Sequence, residues 1–160
     1  MFFSNANHEI LHLNNIIDVL YEFAQEDPYA EYDMIIGTDS QRHKKIITNA
    51  TVVFLWNLGT RKFRLFYSKD KYNCKSGNDI IGRLIQEANK SIIVAQLIEQ
   101  SKLSEIISKS NYEIHLDVGY HGKSTKVLDT CVGMVKGSGY NYKIKPDAWL
   151  ASCVADRFVK

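Results

Sequence analysis

The stretch Tyr32-Asp33-Met34-Ile35-Ile36-Gly37-Thr38-Asp39 decides the fold: it is an apolar run that ends on a glycine and then an acid. Short apolar runs bounded by polar turn residues read as strands. The polar residues Ser40 to Lys45 follow as a turn, and Ile46 to Trp56 reads as a second strand. Asn57-Leu58-Gly59-Thr60 has turn chemistry, and Lys62 to Ser68 alternates polar and apolar side chains as a third strand. Three strands joined by short turns make an antiparallel meander.

Upstream, Ile16, Ile17, Leu20, Tyr21 and Phe23 give one apolar side to a helix predicted from Asn14 to Gln25. Asp27-Pro28 stops it, because proline disfavours helix in the residue before it. Downstream, the polar stretch Lys69 to Asn78 leads into a long helix over Asp79 to Gln100, with Leu84, Ile85, Ala88, Ile92 and Ala95 at helical spacing. A short helical piece over Leu103 to Ser108 precedes a fourth strand, Tyr112 to Val118. A loop, Gly119 to Lys123, then a helix over Ser124 to Lys136, lead to Gly137-Ser138-Gly139, which ends that helix. Tyr140 to Lys145 is a short fifth strand, and Pro146 opens a last helix that continues to Phe158. Helical crossovers force the later strands to run parallel to the first, so an α/β fold with a five-stranded mixed sheet and helices on both faces is expected.

The chain of 160 residues, 45% hydrophobic and 24% charged, fits one globular domain. A formal charge of +2 is too small to announce a nucleic-acid binder, so the distribution of charge matters more than its sum. Arg42, His43, Lys44 and Lys45 form one basic cluster; Arg61, Lys62, Arg64, Lys69, Lys71 and Lys75 form another; and Lys123, Lys126, Lys136, Lys143 and Lys145 form a looser third. Solvated faces explain each of these as well as a ligand does. Cys74, Cys131 and Cys153 show no paired spacing, which excludes a disulfide framework and suits a reducing cytoplasm. Cys131 and Cys153 are expected to pack as small hydrophobes. The start of the chain lacks the pattern of a signal peptide, and no run reaches the ~20 apolar residues of a membrane span. A cytoplasmic protein with no membrane partner is expected.

Asp39 ends the first strand and Asp117 ends the fourth, in Ile114-His115-Leu116-Asp117-Val118-Gly119. If those strands are parallel neighbours, both carboxylates lie at equivalent ends, on strands about 4.8 Å apart, where chain connections diverge and ligands bind in such sheets. Carboxylates that close repel each other unless a cation intervenes, and oxygen ligands with room for water suit Mg2+ or Mn2+. The competing reading is turn capping for Asp39 and helix capping for Asp117. Glu87 borders the apolar stripe of the long helix, where it either completes the site or sits at a solvated boundary. Asp147 opens the last helix, where the helix dipole also favours an acid. Asp156, nine residues on, is half a turn out of phase with Asp147, so the two cannot face one ion; pairing with Arg157 or Lys160 is expected of it.

Gly119-Tyr120-His121-Gly122-Lys123-Ser124 evokes a phosphate-binding loop, but Asp117 stands where that motif needs its first glycine. The helix start with Lys123 and Ser124 still suits a backbone phosphate. His43, His115 and His121 match no closed zinc spacing; His121 is also a candidate proton shuttle. Ser40 lacks the histidine and acid partners of a nucleophile.

Three motifs, Ile36-Gly37-Thr38-Asp39-Ser40-Gln41, His115-Leu116-Asp117-Val118-Gly119 and Lys143-Ile144-Lys145-Pro146-Asp147-Ala148, resemble the YkuK family of bacterial ribonuclease H-like proteins. The resemblance runs from the first helix to the C-terminus. It implies a ribonuclease H-like fold with strand order 3-2-1-4-5 over residues 1–160, residues 1–30 forming a helical extension packed on it. It also implies that Asp39, Glu87, Asp117 and Asp147 hold divalent Mg2+ or Mn2+ for phosphodiester cleavage, with Ser40, Gln41, Lys123, Ser124 and Lys145 binding a nucleic-acid substrate. The expected function is a metal-dependent nuclease. The alternatives are a non-catalytic nucleic-acid-binding or adaptor protein on the same fold and, more remotely, a hydrolase of small phosphorylated molecules.

Overall fold

The computed structural model describes residues 1–74 and 80–160. Its centre is the meander: β3 (Tyr32–His43), β4 (Ile46–Asn57) and β5 (Phe63–Asn73) pair antiparallel in unbroken register from Tyr32↔Asn57 to His43↔Ile46 and from Trp56↔Phe63 to Ile46↔Asn73. Ser40 to His43 are therefore strand rather than turn. Main-chain pairing needs no apolar side chain, and Lys44 and Lys45 suffice for the connection, Lys44 taking a φ of 56°. At the other end Asn57 Oδ1 accepts from the N–H groups of Gly59 and Thr60 at 3.0 and 2.9 Å.

Two short strands absent from the sequence reading, β1 (Phe2–Ser4) and β2 (Ile10–His12), form a hairpin that meets β5 at Ser4↔Tyr67. Each has three residues, and of the two only β1 sends a side chain fully inside, Phe3, so no periodic signal marked them. β6 (Tyr112–His115) lies parallel to β3, and β7 (Asn141–Lys143) parallel to β6. The sheet thus has seven strands in the order β2-β1-β5-β4-β3-β6-β7. The five expected strands keep the order 3-2-1-4-5 within it, and the hairpin extends the β5 edge.

α1 (Leu13–Gln25), α2 (Ile80–Glu99) and α3 (Leu128–Gly137) cover one face. There Ile16, Leu20, Ala88, Ile92 and Cys131 close over Met34, Ile36, Val53, Leu55 and Ile114. The expected start of α2 at Asp79, and Lys75, lie outside the described residues. The opposite face carries a smaller core of Ile35, Val52 and Phe54 beneath Leu150 and Ala155.

The last helix departs from expectation. The main-chain N–H groups of Asp147 and Ala148 both donate to the Ile144 carbonyl, at 2.8 and 3.0 Å, closing a turn just after Pro146. Helical structure begins only at Trp149; it runs as a π-helical segment over Leu150–Ala155 and ends as α4 (Asp156–Val159). Gly37 admits this segment against β3: a Cβ there would stand 3.0 Å from the Ala151 nitrogen and 3.2 Å from its Cα. Cys131 is buried as expected, whereas Cys153 is exposed. No helix among the described residues is long and apolar enough to cross a membrane.

Candidate active site

Alternation along β3 separates two environments. Thr38 and Ser40 face α2: the Ser91 hydroxyl donates to Thr38 Oγ1 at 2.8 Å, and the Ser40 hydroxyl donates to Glu87 Oε1 at 2.5 Å. Gly37 and Asp39 face the last helix. The same holds on β6, where Ile114 enters the larger core while the His115 ring meets the last helix, its Nδ1 accepting from the Leu150 N–H at 3.0 Å. Because Nδ1 accepts, Nε2 carries the proton and donates to Glu113 Oε1 at 2.9 Å. His115 is a buried packing histidine.

The β3–β6 ladder ends at Gly37↔His115. Two residues further along each chain stand Asp39 and Asp117, close enough for the charge of Asp117 to act on Asp39. The strands part between them. Leu116 and Val118 follow β7 instead, the Leu116 N–H donating to the Lys143 carbonyl at 2.9 Å and the Lys145 N–H to the Val118 carbonyl at 2.8 Å. The expected strand end at Val118 moves back to His115 for this reason. Gly119 lets Lys145 lie close, since a Cβ on Gly119 would sit 3.1 Å from Lys145 Cβ. From there Lys145 Nζ donates to Asp117 at 2.9 Å.

Electrostatics mark these acids. Burial, then the charge of Asp117, pushes the Asp39 carboxyl up to about 7; Asp156 adds to the rise, while the Ser40 N–H at 2.8 Å and Lys145 oppose it. Asp117 is raised by burial, against the pull of Lys145 and with a further push from Asp156. Glu87 is pushed up to about 8, by burial first and then by Asp39 and Asp117, with the Ser40 bond and Arg83 acting the other way. Its Oε2 is buried and makes no hydrogen bond.

Asp39, Asp117 and Glu87 therefore feel one another, Glu87 from across β3. The fourth acid felt here is Asp156, not Asp147. The turn after Ile144 leaves Asp147 exposed, whereas α4 brings Asp156 beside the aspartate pair, with Lys160 as its ion-pair partner. The half-turn phase difference between the two acids held the signal, but a helix started at Pro146 gave it the wrong origin. Lys145 is at the site. Gln41 is exposed near it, and Gln41, Ser40, Arg42, Lys44 and Arg83 line a cleft of about 570 Å3. The hydroxyls of Ser40 and Ser124 are engaged inside the protein, the latter accepting from the Gly119 N–H at 3.3 Å. His121 and Lys123 are exposed on the loop that follows Asp117.

Among the described residues no three Asp, Glu, His or Cys side chains stand close enough together to hold a metal ion. The donor chemistry nonetheless fits a hard divalent cation at Asp39 and Asp117. Both are oxygen donors whose charges are mutually unfavourable.

The chain belongs to the ribonuclease H-like family, whose model matches residues 15–160. It is similar to the Uncharacterized protein YkuK of Bacillus subtilis (strain 168), at 24% identity over 176 aligned positions that cover 99% of this chain and 96% of the relative. Both matches agree with the family read from the three motifs. No solved structure matches.

Proposed function

We propose that this protein is a nuclease that hydrolyses phosphodiester bonds of nucleic acid with the help of Mg2+ or Mn2+. The observation that carries this reading is the pair Asp39 and Asp117, both half-buried two residues beyond the last paired rung of their strands, with the charge of Asp117 acting on Asp39. Asp39 and Asp117 would hold the cation, Asp156 would face it from α4, and Glu87 would act from the α2 side. A divalent ion there supplies Lewis acidity to a phosphodiester and lowers the pKa of water. The chain's own residues prepare the place. Ser40 fixes the Glu87 carboxyl, the Ser40 N–H orients Asp39, and Lys145 holds Asp117 while placing an ammonium beside the acids. Membership of the ribonuclease H-like family points to nucleic acid as the substrate class.

The test has two readouts. Incubation with Mg2+ or Mn2+ and a panel of DNA, RNA, hybrid and junction substrates is expected to give metal-dependent cleavage. Independently, Mn2+ at about 100 times its Kd is expected to stabilise the fold by about 2.7 kcal/mol in thermal melts at pH 8. That gain should shrink at pH 5, where protons compete for the raised carboxyls. No cleavage of any substrate together with no metal-induced shift in Tm would remove the proposal.

A second reading, a nucleic-acid-binding or adaptor protein without turnover, is favoured by the Lys145–Asp117 ion pair and by the lack of a third close ligand among the described residues. Salt-sensitive binding without cleavage would select it.

A further inference from the structure

The second basic cluster, Arg61 to Lys75, is split by the fold. Arg61 and Lys62 lie by the turn at the far end of the sheet, and Arg64 packs its guanidinium 4.3 Å from the centre of the Phe23 ring on the larger-core face. Lys69 and Lys71 go elsewhere. Tyr67 stacks on Phe158 of α4 with ring centres 3.9 Å apart, which fixes the odd-numbered side chains of β5 on the face of the last helix. Asp70, between the two lysines, points the other way and pairs with Lys90 of α2. Strand alternation thus sorts the charges of this segment, cations to one face and the anion to the other.

That face is also the face of the acids. Register carries Asp39 across to Ala50 and then to Lys69, and the next row runs Gln41, Thr48, Lys71. Two strand spacings place the Lys69 backbone about 10 Å from that of Asp39, and Lys71 follows about 7 Å along the strand. Gln41, Lys69 and Lys71 are exposed, and among the described residues neither lysine makes an ion pair. The step of about 7 Å between the two residues along the strand is of the order of the spacing between successive phosphates of one strand.

The geometry points to a phosphate track: the outer half of the meander, through Lys69 and Lys71 with Gln41 between them and the acids, binds the sugar–phosphate backbone of the nucleic acid whose scissile bond lies at Asp39 and Asp117. The inference rests on the reading of the acids as a nucleic-acid site. Charge complementarity commits the surface to a polyanion, and the row Gln41, Thr48, Lys71 joins it to the acids past the buried Ala50. Contacts of this kind position without reading sequence.

The test measures binding of a fluorescently labelled RNA–DNA hybrid, a DNA duplex and a single strand, by anisotropy at several salt concentrations. An Asp39→Asn background with Mg2+ keeps the probes intact. Lys69→Gln with Lys71→Gln is expected to weaken binding to a similar degree for every sequence of a given form, and to lower the slope of log K against log[salt] by about 1.5. Lys69→Arg with Lys71→Arg is expected to restore binding. The same charge change at Lys62 and Lys136, away from this face, should leave the slope unchanged. If the Asp39→Asn chain binds the probes in a salt-sensitive way and the Lys69 and Lys71 pair behaves like the control pair, the track is wrong and the acid site stands. If the Asp39→Asn chain binds no probe at any salt concentration, both fall.

Discussion

Replacing Asp39 with asparagine is expected to abolish cleavage while making the protein harder to melt. The loss follows from removing a charge aimed at the reacting phosphodiester, and losses of electrostatic stabilisation at reacting centres run to about 10²- to 10³-fold. The gain in stability follows from linkage. In the unfolded chain Asp39 ionises near its ordinary value of 3.8, whereas in the native fold it keeps its proton up to about 7. Between those values the native state binds more protons than the unfolded one, so native stability falls as pH rises through the window and stays low above it. Asparagine removes the penalty and keeps an oxygen for the Ser40 N–H. The Tm of Asp39→Asn, measured without metal, should therefore exceed that of the native chain at pH 8, and the difference should close as pH falls towards 4. A variant that lost cleavage and melted earlier at pH 8 would show Asp39 to be a structural carboxylate, and the site reading would fail with it.

Gly37→Val is expected to fail in the opposite sense, losing stability and cleavage together. A Cβ at Gly37 would meet main-chain atoms of Ala151 at 3.0 and 3.2 Å, and main chain cannot swing aside as a long side chain can. Overpacking of this kind costs about 1–3 kcal/mol, equivalent to a fall in Tm of roughly 2–4 °C for each kcal/mol at this chain length. The relief available is outward movement of the last helix, which carries Asp156 away from Asp39 and Asp117. Gly133→Ala is the matched control. It lies on α3 with nothing within 4 Å of its added Cβ, so it should gain about 0.5–1 kcal/mol from helix propensity and leave cleavage intact. Equal melting temperatures for Gly37→Val and the native chain would show that the last helix is not seated by this contact.

The parts of the fold legible in the sequence were those with long periodic signals. α1, α2 and β4 begin and end within a residue of their expected bounds wherever the chain is described, because apolar spacing sustained over ten or more residues fixes an element. The N-terminal hairpin was invisible because its strands have three residues each and Phe3 is their one fully buried side chain. The outer halves of β3 and β5 were hidden for a different reason: Ser40 to His43 and Lys69 to Asn73 are polar, and ladder hydrogen bonds are made by the main chain alone. Asp39 and Asp117 could be found because both follow apolar strand runs at comparable depth. Asp156 could not, because its place depends on where the last helix starts, and the turn donating twice to the Ile144 carbonyl delays that start to Trp149. Glu87 was recognised at the edge of its stripe; its burial depends on Ser40, far away in sequence, reaching it across the layer.

β3, β4 and β5 continue as one hydrogen-bonded ribbon from a region roofed by helices on both sides to one whose upper face meets water. Amides buried under apolar layers open only with the whole domain, whereas those bordered by solvent open locally. The ribbon therefore changes from an unyielding middle at Met34 and Ile36 to a pliant apron at His43 and Ile46, with Asp39 at the seam. Such an apron can adjust its twist to a curved polymer lying across it while the carboxylates, anchored on the stiff side, keep their spacing.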